Sequence, residues 1–88
     1  MQPYIKMAFI SRGYSWKGDY IPLCEYCEER GAVDVDHIFW RREWKLLEPE
    51  NLMFVCRQCH LAKGDYDDKQ RRKEIVFSKL LPQYRWNI

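Results

Sequence analysis

Four cysteines fall in two Cys-x-x-Cys pairs, Cys24 with Cys27 and Cys56 with Cys59. Two such turns can supply the four sulfur ligands of one tetrahedral zinc. The pairs stand 28 residues apart, wider than an ordinary zinc ribbon, so something is inserted between the two knuckles. Structural zinc is the expectation, with disulfides or a redox pair as the alternatives. The run CRQCH, Cys56 to His60, also matches the attachment signature of c-type haem. Haem would explain His60 but leave Cys24 and Cys27 idle, and a colourless preparation would remove it.

The insert carries a second chemical group. Val33 to Ile38 reads VDVDHI, and alternation puts Val33 and Val35 on one face of a half-buried strand, Asp34 and Asp36 on the other. At its end Asp36 and His37 are adjacent, so they point in different directions. His60 follows a zinc cysteine on what reads as a helix. One carboxylate and one imidazole are too few for a closed structural metal site. Asp36 and His60 suit an open one, with positions left for water and phosphate oxygens. His37 can then act as a base if it is neutral near pH 7. Taken singly, Asp36 is a strand-end acid, His37 a partly buried polar group and Asn51 a turn residue. Beside two zinc knuckles those readings give way to the joint one.

The elements that must position these groups follow from pattern. Val33 to Ile38 is the first strand and Asn51 to Cys56 the second, joined by a long structured loop, FWRREWKLLEPE. LCEYCEERGA is a tight metal-binding turn, with Gly31 providing backbone freedom. The chain after Cys56 is helical to about Lys63, and Gly64 can end that helix. A last helix spans about 67–81, with Asp67 and Asp68 at its positive end, Lys79 at its negative end and Pro82 stopping it. Val76, Phe77, Leu80 and Leu81 make its apolar stripe. Continued backward, that face reaches Lys73 and Lys69, so the helix is expected to project a basic first half. Residues 4–16 are apolar and aromatic without a clear period, leaving helix and strand both open.

Bulk properties bound the rest. Eighty-eight residues make one domain. A chain this short buries roughly 60–65% of its unfolded surface, so a staple beyond the core is expected. The 16% aromatic content reads as core filling. No 18-residue apolar run exists, so no transmembrane helix is expected, and the first residues do not read as a signal peptide. The cytoplasm is the expected location, where paired cysteines favour metal. Residues 1–56 carry seven Lys/Arg against nine Asp/Glu, and residues 57–88 carry eight against four. With zinc on four thiolates the formal net charge falls from +2 to zero. Affinity for a polyanion must therefore come from local patches and a second metal.

In order, CEYC, DVDHI, NL, VCRQCH and Lys63 resemble the zinc-stapled branch of the HNH endonuclease family, of the ββα-metal fold. The resemblance covers roughly Cys24 to Lys63. It implies a small α+β fold, with Cys24, Cys27, Cys56 and Cys59 on structural zinc and a C-terminal helix added to the motif. It also implies a single nuclease domain over 1–88, with its core at 24–63. Asp36 and His60 would hold one divalent ion, magnesium or manganese, and His37 would be the general base. Asn51 would tie the loop down by backbone hydrogen bonds and so orient His37. Lys63 matches the family's frequent lysine and would face phosphate or complement the helix end.

Family members often carry a proline two residues after the HI and glycines in the loop; here Trp40, Arg41 and Arg42 follow Phe39. Arg41, Arg42 and Lys45 are the expected phosphate contacts beside the scissile bond, with Trp40 and Trp44 packing or wedging. Lys69, Arg72 and Lys73 would extend that basic surface. The implied reaction is hydrolysis of a DNA phosphodiester, leaving 5′-phosphate and 3′-hydroxyl ends. DNA is the implied partner. Small domains of this kind also accompany DNA packaging in phages, which adds packaging proteins. The rival is a non-catalytic zinc module binding nucleic acid or protein, which has no need of Asp36, His37 and His60 together.

Overall fold

A computed structural model describes residues 2–18, 20–39 and 48–85. Residues 40–47, with Trp40, Arg41, Arg42, Trp44 and Lys45, lie outside the described residues.

Strand β1 (Asp34–His37) pairs antiparallel with β2 (Leu52–Val55), Asp34 opposite Val55 and His37 opposite Leu52. β2 reads LMFV and is buried throughout, because both sheet faces are covered. Leu52 and Phe54 join Ala8 and Phe9 on one face, while Met53 and Val55 join Ile38, Val76 and Leu80 on the other. A strand covered on both sides has no reason to alternate. By register, Asp34 and Asp36 share the face of Val55 and Met53. The expected half-buried strand is thus covered on both faces, and the buried residue is the acid. Asp36 is 1% exposed, whereas Val33 is 64% exposed.

The aperiodic N-terminal segment is helix α1 (Pro3–Arg12). Pro3 opens it at a position where a missing N–H costs nothing. Gly13 closes it with φ 78, a left-handed conformation that a side chain would strain. Phe9 packs edge-on against Phe54 at 4.7 Å between ring centres. Ser11 and Arg12 are buried with it. Arg12 donates to Glu25 (Nε to Oε2, 3.0 Å), to the Pro49 carbonyl (3.0 Å) and to the Leu52 carbonyl. Glu25 in turn accepts from the Tyr14 hydroxyl (2.9 Å) and the Phe54 N–H (2.9 Å), and its own N–H donates to the Phe54 carbonyl (2.8 Å). One buried ion pair thus ties α1 and the first knuckle to β2.

The first knuckle closes through a Leu23–Gly31 bridge. Its left-handed residue is Glu28 (φ 58), not Gly31, so the freedom expected of the glycine is used at a different position. The second knuckle leads into helix α2 (Arg57–Leu61), shorter than the run to Lys63 that the pattern indicated. Gly64 does not end it. The Gly64 N–H donates to Asp68 Oδ2 (2.8 Å) and belongs to the approach to α3.

Helix α3 (Tyr66–Lys79) is capped by Asp65, whose carboxylate accepts from the Asp68 N–H (3.2 Å). Its inward face is Arg72, Val76 and then Leu80, at i, i+4, i+8. Phe77, assigned to the stripe from sequence, is 37% exposed. The stripe is rotated because Arg72 is held inside by ion pairs. Among the described residues, no helix is long and apolar enough to cross a membrane.

Candidate metal centres and active site

The two knuckles bring Cys24, Cys27, Cys56 and Cys59 together, their sulfurs all within 4.8 Å of one another. No disulfide joins any two of them. Backbone N–H groups point at the sulfurs: Tyr26 and Cys27 at Cys24, and Cys59 at Cys56, each at 3.4 Å. The Cys59 N–H is the main reason the Cys56 thiol is drawn down to about 6, with Arg30 Nε adding to it at 3.4 Å. Burial pushes Cys59 up to about 12. A low thiol and a high one sharing a sulfur cage is an arrangement that a divalent cation relieves, since it lets every ligand deprotonate. The donor set fits zinc.

The second group lies on the α2/α3 face of β1. His60 Nδ1 is 3.0 Å from Asp34 Oδ2. Arg57, and after it His60, hold the Asp34 carboxyl below the usual range, so it is an ionised acceptor. Nδ1 therefore donates to Asp34, which leaves Nε2 on the inward side. That Nε2 faces Asp36 Oδ1 at 3.9 Å. An imidazole oriented by a carboxylate on its far nitrogen is the usual preparation of a metal ligand. Asp36 and Asp34 are both needed for this geometry, and sequence reading singled out only the first. The signal was there: Asp34 stands two positions before Asp36, on the same face of a strand.

Asp36 is already paired with two cations. Lys63 Nζ donates to its Oδ1 (3.0 Å) and to the His37 carbonyl. Arg72 Nη1 lies 3.5 Å from its Oδ2, although neither of those two atoms makes a hydrogen bond. Arg72 is fully buried, donating to Asp68 (2.8 Å) and the Cys59 carbonyl (2.9 Å), with its guanidinium 4.4 Å from the centre of the Tyr26 ring. Burial raises Asp68, but the Gly64 N–H, Arg72 and Tyr26 outweigh it and bring the carboxyl down to about 2. The expectation that Arg72 contacts nucleic acid is therefore corrected: its charge is spent inside, on two acids and a knuckle carbonyl. Asp36 Oδ1, faced by His60 Nε2 as well as Lys63 Nζ, is the carboxylate oxygen that fits a small divalent cation.

His37 follows Asp36 and leaves the strand on the opposite side, its register partner being Leu52. The ring is partly buried, and burial is the main reason its basicity lies below the ordinary imidazole value. Asp36 opposes that effect, while Lys63 and His60 reinforce it. It is neutral near pH 7. Just beyond it, Asn51 closes a two-way clamp on Phe39: Oδ1 accepts from the Phe39 N–H (3.0 Å) and Nδ2 donates to the Phe39 carbonyl (3.1 Å). The Ile38 N–H donates to the Asn51 carbonyl (2.9 Å).

Of the remaining basic residues, Lys69 and Lys73 are partly buried on α3, and Lys73 Nζ lies 5.9 Å from the centre of the Phe39 ring. The structure thus gathers Asp36, His37, Asn51, His60 and Lys63 around the end of β1, while the basic residues of α3 divide between the interior and the helix flank.

The fold and the sulfur cage define a small α+β, knuckle-stapled ββα domain. A family model described as HNH endonuclease matches residues 24–66, a similarity that points to nuclease-type function. No curated protein and no solved structure gives a significant match.

Proposed function

We propose that the protein is a metal-dependent endonuclease that hydrolyses phosphodiester bonds of DNA. The observation that carries this reading is the convergence of Asp36 and His60 Nε2, 3.9 Å apart, with the neutral imidazole of His37 one residue further along the same strand. His37 takes a proton from the attacking water, which approaches phosphorus in line with the leaving oxygen. Asn51 supports this by fixing the backbone at Phe39, two residues after the base. Asp34 keeps His60 in the tautomer that offers Nε2 inward. Asp36 and His60 would hold one magnesium or manganese ion, which when bound would supply charge stabilisation at the phosphate. Lys69 and Lys73, with Arg41, Arg42 and Lys45, are the proposed phosphate contacts. In a phage setting, packaging proteins would be the protein partners.

A second reading, a non-catalytic zinc module, draws on one observation: Lys63 and Arg72 already neutralise Asp36. Supercoiled plasmid incubated with magnesium, manganese or EDTA separates the two. Nicking that EDTA stops, and that excess divalent ion restores, supports the endonuclease. Binding of DNA without nicking in either metal supports the module.

A further inference from the structure

We propose that Lys63 is a tethered counter-cation that a divalent ion must displace from Asp36, so that loading the site is an exchange of one cation for another. This rests on the reading that Asp36 and His60 hold the ion. The carboxylate of Asp36 is buried between two positive charges that differ in how firmly they are held. Arg72 faces Oδ2 and cannot leave, being fully buried and pinned by Asp68 and the Cys59 carbonyl. Lys63 faces Oδ1, the oxygen that His60 Nε2 also faces.

The Lys63 side chain is 16% exposed, and its residue lies beyond α2, before the cap of α3. A flexible four-carbon stem from such a segment can swing outward without breaking a helix. A cation bridging Asp36 and His60 would share Oδ1 with the ammonium. Two positive charges at one oxygen repel strongly where water is scarce. Arg72 alone then remains as the fixed counter-charge. The exchange also explains how Asp36 tolerates burial before any ion arrives, since an unpaired buried carboxylate is costly.

The test uses zinc-loaded full chain and manganese as the probe, with free Mn²⁺ read by electron paramagnetic resonance. Lys63→Met should bind Mn²⁺ about tenfold more tightly than wild type, because a competing charge is gone. His60→Ala should lose the binding. If wild type binds Mn²⁺ and Lys63→Met binds equally or more weakly, the exchange is wrong while the metal site stands. If neither binds, the metal site itself is wrong and the exchange falls with it. A second measurement needs no variant: amine acylation of Lys63 in wild type, quantified by mass spectrometry against exposed Lys17. Saturating Mn²⁺ should raise Lys63 labelling several-fold relative to Lys17, and unchanged labelling would overturn the proposal.

Discussion

Asp36 is almost wholly buried among Lys63, Arg72 and His60, whereas its neighbour His37 is partly open and held neutral by burial. One strand step separates a group fitted to hold charge from one fitted to move a proton. A consequence follows for pH. In the proposed reaction the working form of His37 is the neutral base, and its affinity for a proton is lowered, so it would stay active to more acid pH than a free imidazole. Nicking rate should be level near pH 7–8 and fall only below about pH 6.5; a flat profile from pH 5 to 8 would contradict the assignment. Arg72 supplies a second prediction. Arg72→Met removes the fixed counter-charge of Asp36 and leaves Asp68 and the Cys59 carbonyl short of a donor. Breaking such a buried network costs about 3–5 kcal/mol, readable as a lower urea midpoint in zinc-loaded protein. A loss under about 1 kcal/mol would mean that water readily takes its place.

At the scale of elements, the 3-10 turn Pro49–Asn51 leads into β2 and positions the clamp on Phe39. Asn51→Ala leaves an N–H and a carbonyl of Phe39 without those partners, a loss of about 1–3 kcal/mol. If the clamp also positions His37, nicking should drop more than tenfold with zinc content unchanged, since small misplacements of a reacting group are costly. An unchanged rate would confine Asn51 to a stability role. The knuckles, both strands and α3 were legible in the sequence because each carries a local signal: paired cysteines, alternation in the first strand, an apolar run in the second, acids at the helix start and a proline stop. Helix α1 was not, because its buried residues include Ser11 and Arg12, and hydropathy cannot announce that Glu25 will receive the guanidinium. The stripe of α3 was misplaced by about one position for the same reason, Arg72 being inside. In the site, Asp36, His37 and His60 were singled out by type and spacing, and Asn51 by the family resemblance. Asp34 and the inward roles of Arg72 and Lys63 were not, because each depends on a partner more than twenty residues away or on burial.

The whole molecule hangs on contacts that sequence distance would not favour. The sulfur cage holds two segments 28 residues apart, and the Arg12–Glu25 pair fastens α1 to one of them. In a chain of 88 residues a zinc ion held by such a cage would supply a large share of the folding free energy. Cys27→Ser, or stripping zinc with a strong chelator, should unfold the domain, seen as loss of helical circular dichroism at 25 °C. A fold that survives either treatment would make the cage an accessory. The reaction is tested most directly by nicking of supercoiled plasmid in magnesium or manganese by wild type and His37→Ala, with zinc measured on the same preparations. Equal zinc, with cleavage by His37→Ala at least about a hundredfold slower, is the predicted result. Equal cleavage by the two proteins would contradict the role given to His37, and with it the account of how this site works.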